Sequence, residues 1–208
     1  MCFRVNVLGL FLACFVFFTA CNNGTKNAET EGESLSLSED FNNQALQLLS
    51  KAKDTSDLIQ AMYILEKAIT VDTSNYVAYN NLMGVLLQLK KYEKAYQVIE
   101  VLATQTNVPN YTLFKGFLEE KYLNDTVASH ASYMKSIIQI DSLMQNGVPQ
   151  GDLQLNKLLA TFMAYGKEPA LKLYDSMTLG MQDKSVYQDL YNAIITDNRH
   201  NILEQAMP

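Results

Sequence analysis

Three cysteines, two histidines and scattered carboxylates are the side chains from which this sequence could build catalytic or metal chemistry. Cys2, Cys14 and Cys21 all fall in the first 21 residues, so no thiol is left to cross-link the rest of the chain or to bind metal there. His130, in "ASHASYM", and His200, in "DNRHN", stand far apart, and neither belongs to a His-Glu-x-x-His pattern. His130 reads as a partly exposed helix residue and His200 as part of a solvated loop or helix end. Glu119 and Glu120 are adjacent on an expected helix and cannot face each other, which favours a solvated face over an acid–base dyad. No Gly-x-Ser-x-Gly elbow, phosphate-cradling glycine loop or dinucleotide fingerprint occurs. The sequence does not read as an enzyme, and it implies neither metal nor cofactor. A catalytic constellation would have to be gathered from distant residues.

Cys21 is the one chemically specific position. In "FVFFTACNNGT" (residues 15–25) the chain turns from apolar to small and polar at this residue. Val5 to Phe18 is apolar except for Asn6 and follows Arg4, which has the length and flank of a signal-peptide core. Residues 1–20 therefore read as an export signal, with a retained membrane anchor as the alternative. The small residues Thr19 and Ala20 before Cys21 resemble the lipobox of bacterial lipoproteins, although Phe18 stands where that class usually has an aliphatic residue. Phe11-Leu12-Ala13-Cys14 shows the same pattern, but cleavage there would leave the apolar start "CFVFFTAC". Cleavage at Cys21 leaves the polar start "CNNGTKNAETEGES". The resemblance implies that the Cys21 thiol carries diacylglycerol and that the mature chain begins there. Two or three acyl chains hold a protein on a membrane, where one binds reversibly.

Residues 21–40 are poor in apolar side chains and read as a flexible tether, which a coil of that length would stretch over roughly 20–25 Å. "NNGTK" lacks the acidic cluster that sends some lipoproteins to the cell exterior. The expected place is thus the bacterial cell envelope, with the periplasmic face of the outer membrane favoured. The net charge of −6 argues against nucleic acid as a partner, because phosphate binding needs clustered Lys and Arg. Gly and Pro are sparse, and the apolar residues are rich in Leu, Ala, Met and Tyr, which favours helix over sheet.

From Phe41 the apolar residues recur with helical period. Ala61 and Ala95 occupy the same place in "DLIQAMYILEKAITVDTSN" (57–75) and "YEKAYQVIEVLATQTNVPN" (92–110), and Leu65 and Ile99 share the same 34-residue spacing. A preceding helix is expected in each unit, at 42–53 and 76–89. A 34-residue period of paired helices resembles the tetratricopeptide repeat. The likeness is carried by Tyr79, Leu82, Leu86, Tyr92 and Ala95 in residues 76–107, with Met83 in place of the usual Gly. It implies an all-α fold over residues 41–208: a tetratricopeptide-like array of three to four antiparallel helix pairs, with the best units at 42–75 and 76–109. A degenerate third pair follows Pro109, with Gly116 and Ala128 at family spacing. "NGVPQG" (146–151) is a turn, and 152–165 and 169–177 form a fourth pair. Gly166 closes the first helix of that pair and Pro169 opens the second. Residues 185–196 form a C-terminal capping helix.

Such arrays usually bind a peptide or partner domain on the groove lined by the first helix of each pair. By this resemblance the groove includes Val77, Asn80, Asn81, Gly84, Gln88 and Lys115. Leu46 and Ser50 do not complete the carboxylate clamp of some relatives. The expected function is a membrane-tethered scaffold that holds a protein partner, with the lipid on Cys21 contacting the membrane. The alternative is a glycan- or small-ligand-binding lipoprotein using tyrosines as a platform. Tyr63, Tyr79, Tyr92, Tyr96, Tyr187 and Tyr191 lie on or beside apolar faces, however, and read as core. Asp125-Thr126-Val127, Asp141-Ser142-Leu143 and Asp175-Ser176-Met177 resemble O-glycan acceptors, with helix capping as the plainer reading of each.

Overall fold

The computed structural model of the chain describes residues 30–149 and 151–206, with side-chain surroundings given for 36–149 and 151–204. The signal segment, Cys21 and residues 21–29 of the expected tether lie outside the described residues. Within them the regular structure is entirely helical, in two compact units that meet in sequence between Gln105 and Thr106.

The first unit holds α1 (Thr30–Leu49), α2 (Thr55–Val71), α3 (Tyr76–Gln88) and α4 (Tyr92–Gln105). Each helix packs against the next, and α1 also touches α3. Helix starts follow from local chemistry. The Asp54 carboxylate accepts from the Ser56 and Asp57 amides ahead of α2, and the Asn75 side chain accepts from the Ala78 amide ahead of α3. These oxygens satisfy amides that have no partner inside the helix.

Helix α1 starts well before Phe41, so the stretch 30–40, read as tether, is helical. Ser38 is fully buried: its hydroxyl donates to the Ala68 carbonyl at 2.8 Å and accepts from Asn75 Nδ2 at 2.8 Å. Composition predicted a coil because the segment has few apolar residues. Polar hydrogen bonds, with Ala45 buried one face along, hold its second half instead.

The second unit holds α5 (Pro109–Lys121), α6 (Thr126–Gln145), α7 (Gly151–Tyr165), α8 (Lys167–Met177), a 3-10 turn (Ser185–Tyr187), α9 (Gln188–Ile195) and α10 (Arg199–Ala206). Consecutive helices pack from α5 to α8, and α9 packs on α8 and α7. Gly166 lies at φ +80° just before α8, a conformation that favours glycine. Pro169 falls in the first turn of α8, where its missing amide costs nothing. "DNRHN", which reads as a solvated loop or helix end, contains the start of α10.

Burial repeats more regularly than residue type. Ala61, Ala95 and Ser129 are buried at a common spacing of 34 positions, as are Leu65, Ile99 and Tyr133 four residues later in each case. Ala170 and Tyr174 repeat the small-then-large buried pair on α8. The third copy is centred on Ser129, not on the expected Ala128, which is only half-buried. A small side chain there lets neighbouring helices approach closely.

The inner face of α6 is unusually polar. Ser129, Ser132, Ser136 and Gln139 are buried there, while Val127 and Ile138 on the opposite side are exposed. The buried hydroxyls are satisfied: Ser132 donates to Glu119 at 2.6 Å and Ser136 to the Pro109 carbonyl at 3.0 Å.

Candidate functional site

Helix α3 turns its apolar residues Ala78, Leu82, Val85 and Leu86 inward. Val77, Asn80, Asn81, Gly84 and Gln88 recur at three- and four-residue spacing, which sets them along one side of the same helix. Val77 is 62% exposed and Gln88 is exposed, while Asn80, Asn81 and Gly84 are half-buried. A Cβ at Gly84 would meet nothing within 4 Å, so this glycine opens the surface instead of easing a helix contact. Asn81 donates from Nδ2 to Asn42 Oδ1 at 2.8 Å, tying α3 to α1. The Asn80 Oδ1 atom is buried without a hydrogen-bond partner. An unsatisfied buried carbonyl costs about 1–3 kcal/mol.

Lys115 belongs to the other unit. It lies on α5, half-buried, with its ammonium 3.5 Å from Glu119 Oε1 one turn on. In the first unit, Leu46 on α1 is 41% exposed, and Ser50 just after α1 donates to the Gln47 carbonyl.

The adjacent carboxylates do not form the solvated face expected of them. Glu119 is 2% exposed and accepts from Ser132, whereas Glu120 accepts from the Tyr133 hydroxyl at 2.8 Å. Arg199 Nε and Nη2 also donate to the two Glu120 oxygens, at 2.7 and 2.6 Å, in a forked pair. Nη1 of the same guanidinium donates to the Met163 carbonyl. The Tyr133 ring stacks under the guanidinium at 5.8 Å. Burial, reinforced by the Glu120 charge, pushes the Tyr133 phenol far above its ordinary value. Burial works against the Arg199 charge, but the Glu120 hydrogen bonds and charge outweigh it and raise Arg199. A carboxylate that accepts from three donors on two other helices is a clasp between them. The sequence did carry a signal for it. Arg199 is the only arginine beyond Arg4, in a chain that otherwise uses lysine. A forked, planar donor is what a carboxylate clasp requires.

His130 is exposed and meets the Tyr165 ring edge-on at 5.9 Å, and His200 is exposed on α10. Among the described residues no group of three or more His, Cys, Asp or Glu side chains could hold a metal ion. No helix among them is long and apolar enough to cross a membrane.

Of the twelve tyrosines, Tyr63 at 57% and Tyr165 at 50% are exposed, in different units. The others are buried or half-buried. Tyr63 therefore departs from the core reading, because the inward positions of α2 are taken by Ala61, Met62, Leu65 and Ala68. Tyr174 packs against Tyr191 at 4.5 Å and Tyr187 at 6.3 Å, joining α8 to the C-terminal helices. Of the three Asp-Ser/Thr tripeptides, only that of Asp125 caps a helix, accepting from the Ala128 amide at 2.9 Å. Asp141 and Asp175 lie inside α6 and α8, and Asp141 pairs with Lys157 at 2.5 Å. Neither a family model, nor a curated protein, nor a solved structure matches this chain.

Proposed function

We propose that the chain is a protein-interaction scaffold of tetratricopeptide-like build, held at the bacterial cell envelope by a lipid on Cys21. The observation that carries this reading is the outer side of α3. Val77 is exposed, and Gly84 leaves open space on the same side. A partner laid along that side would cover Val77 and fill the space beside Gly84. The repeat reading draws support from the buried small-then-large pairs at Ala61/Leu65, Ala95/Ile99, Ser129/Tyr133 and Ala170/Tyr174. The lipid reading rests on "TAC" at residues 19–21 and on the polar stretch that follows. A glycan platform has less behind it, because ten of the twelve tyrosines are buried or half-buried.

Photocrosslinkers placed at Val77 and Gln88 in intact cells should capture the same protein partner. Adducts no more abundant than those from Lys172, exposed on α8, would overturn the scaffold reading. Metabolic labelling with an alkyne fatty acid should be lost in Cys21→Ser and kept in Cys14→Ser; the reverse would move the lipid to Cys14.

A further inference from the structure

Helix α10 is eight residues long, too short to persist in water without tertiary support. It follows Asp197, which lies at φ +52° and reverses the chain after α9. The Asn198 side chain then caps it, accepting from the Asn201 amide at 3.0 Å. Its attachments are charged at both ends. At the start, Arg199 forks onto Glu120 at the end of α5 and reaches the Met163 carbonyl near the end of α7. One turn on, Lys121 of α5 lies 3.2 Å from Glu204 and donates to the Leu203 carbonyl at 3.3 Å. Between these anchors Ile202 and Leu203 are each 7% exposed. Glu120 and Lys121 are thus a negative and a positive post in fixed order, and the helix they hold carries the opposite charges in the same order. Complementary posts set the direction of a docked helix as well as its position.

We propose that the surface formed by Glu120, Lys121, Tyr133 and the Met163 carbonyl is a docking site for a short helix, occupied in cis by α10. Its ligand chemistry is read from that occupant: an arginine in the first turn, an aliphatic pair three and four residues later, and an acid next to the pair. A partner protein presenting such a helix displaces α10, which swings out on residues 196–198. The tethered helix competes at an effective concentration in the millimolar range, so the site stays closed to weak ligands. This surface lies on different helices from the outer side of α3, and neither proposal depends on the other.

The test begins with native-state hydrogen exchange on the unaltered full-length chain. Amides of 199–206 should open at lower denaturant than those of α5 and α6. Opening only together with those helices would make α10 an integral part of the core and overturn the proposal. A fluorescent peptide with the sequence of residues 197–206 is then titrated into the full-length chain and into full-length Arg199→Ala. Binding should be at least tenfold tighter to the variant. It should fall at least tenfold when Glu120→Gln is added, or when the peptide itself carries alanine in place of its arginine. Should Arg199→Ala fail to fold, Leu203→Ala takes its place with the same expectations. Equal or absent binding to the wild type and the variant refutes a docking site. Dimerisation of the variant in place of peptide uptake makes the occupant a second copy, and the proposal as stated falls.

Discussion

Gly116→Ala isolates the contact on which the third helix pair depends. Gly116 is buried in α5 and faces the ring of Tyr133 from α6. A Cβ built there would sit 2.5 Å from Cε1 and 2.7 Å from Cδ1 of that ring. Ordinary contact begins near 3.4 Å, so something must yield by about 0.9 Å. The ring has little room to do so. Tyr133 is fully buried, its hydroxyl is held by Glu120, Phe117 packs on it at 5.8 Å, and Arg199 covers it. Alanine in a helix interior is otherwise worth about 0.8–1.0 kcal/mol over glycine. Overpacking costs about 1–3 kcal/mol, so Gly116→Ala should lose up to about 2 kcal/mol net. A double-mutant cycle with Tyr133→Leu separates the two effects. Without the ring, Gly116→Ala should stabilise by about 1 kcal/mol, giving a coupling of about 1–3 kcal/mol between the sites. Urea unfolding followed by far-ultraviolet circular dichroism measures all four proteins. A coupling below about 0.5 kcal/mol, within the additivity error of independent sites, would refute the close approach.

Ala95→Leu should overpack α4 at a fully buried position and cost about 1–3 kcal/mol in the same assay, with an unchanged melting temperature counting against the repeat reading. Lys90 lies at φ +56° between α3 and α4, where its Lys91 neighbour closes the turn onto the Leu86 carbonyl. Lys90→Gly should therefore stabilise by about 1 kcal/mol, and a loss of that size would mean the turn is held by the lysine side chain instead. Tyr133 has a folded pKa raised by burial and by Glu120, with Tyr79, Tyr111 and Tyr187 raised less and chiefly by burial. Their neutral forms belong to the folded state, so the associated stability is complete below pH about 10 and is lost as pH rises beyond it. Phenolate absorbance at 295 nm should show these phenols ionising last, with Tyr133 ionising only as helix is lost. Ionisation of all twelve near pH 10 with helix intact would contradict their burial.

The first unit was legible because its buried faces are apolar and its period is strict. Ala61, Leu65, Ala95 and Ile99 announce both helix type and spacing, and all four are fully buried. The third pair hid the same geometry behind different chemistry. Ser129 replaces the small apolar residue, and Tyr133 replaces the aliphatic one. The inner face of α6 is further filled by Ser132, Ser136 and Gln139. A pattern sought in hydrophobicity fades there, while the pattern in side-chain volume continues. Partnered hydroxyls fill an interior as alanines do once each has an acceptor, and for Ser132 and Ser136 that acceptor lies on α5, too far along the chain for local pattern to show it. The α3 side was named through the repeat resemblance, and its residues do share one side of the helix. The fate of Lys115 was not legible in the sequence, because Glu119 takes it up on its own helix.

The clasp at Glu120 shows why a polar interior suits this part of the chain. An apolar inner face on α6 would gain about 25 cal/mol for each Å² removed from water, without preference for register. Tyr133 instead must place its hydroxyl on Glu120, and Glu120 must also receive Arg199. One carboxylate therefore fixes α6 and α10 against α5 together. Removing Arg199 takes away the Glu120 counter-ion but leaves the phenol hydrogen bond, and departure of α10 uncovers the half-buried carboxylate to water, which spares it the cost of an unpaired buried charge. Removing Tyr133 strips the ring that fills the space beside Gly116. The two partners of Glu120 are thus unequal: one belongs to the core of the helix pair, and the other is arranged so that it can leave.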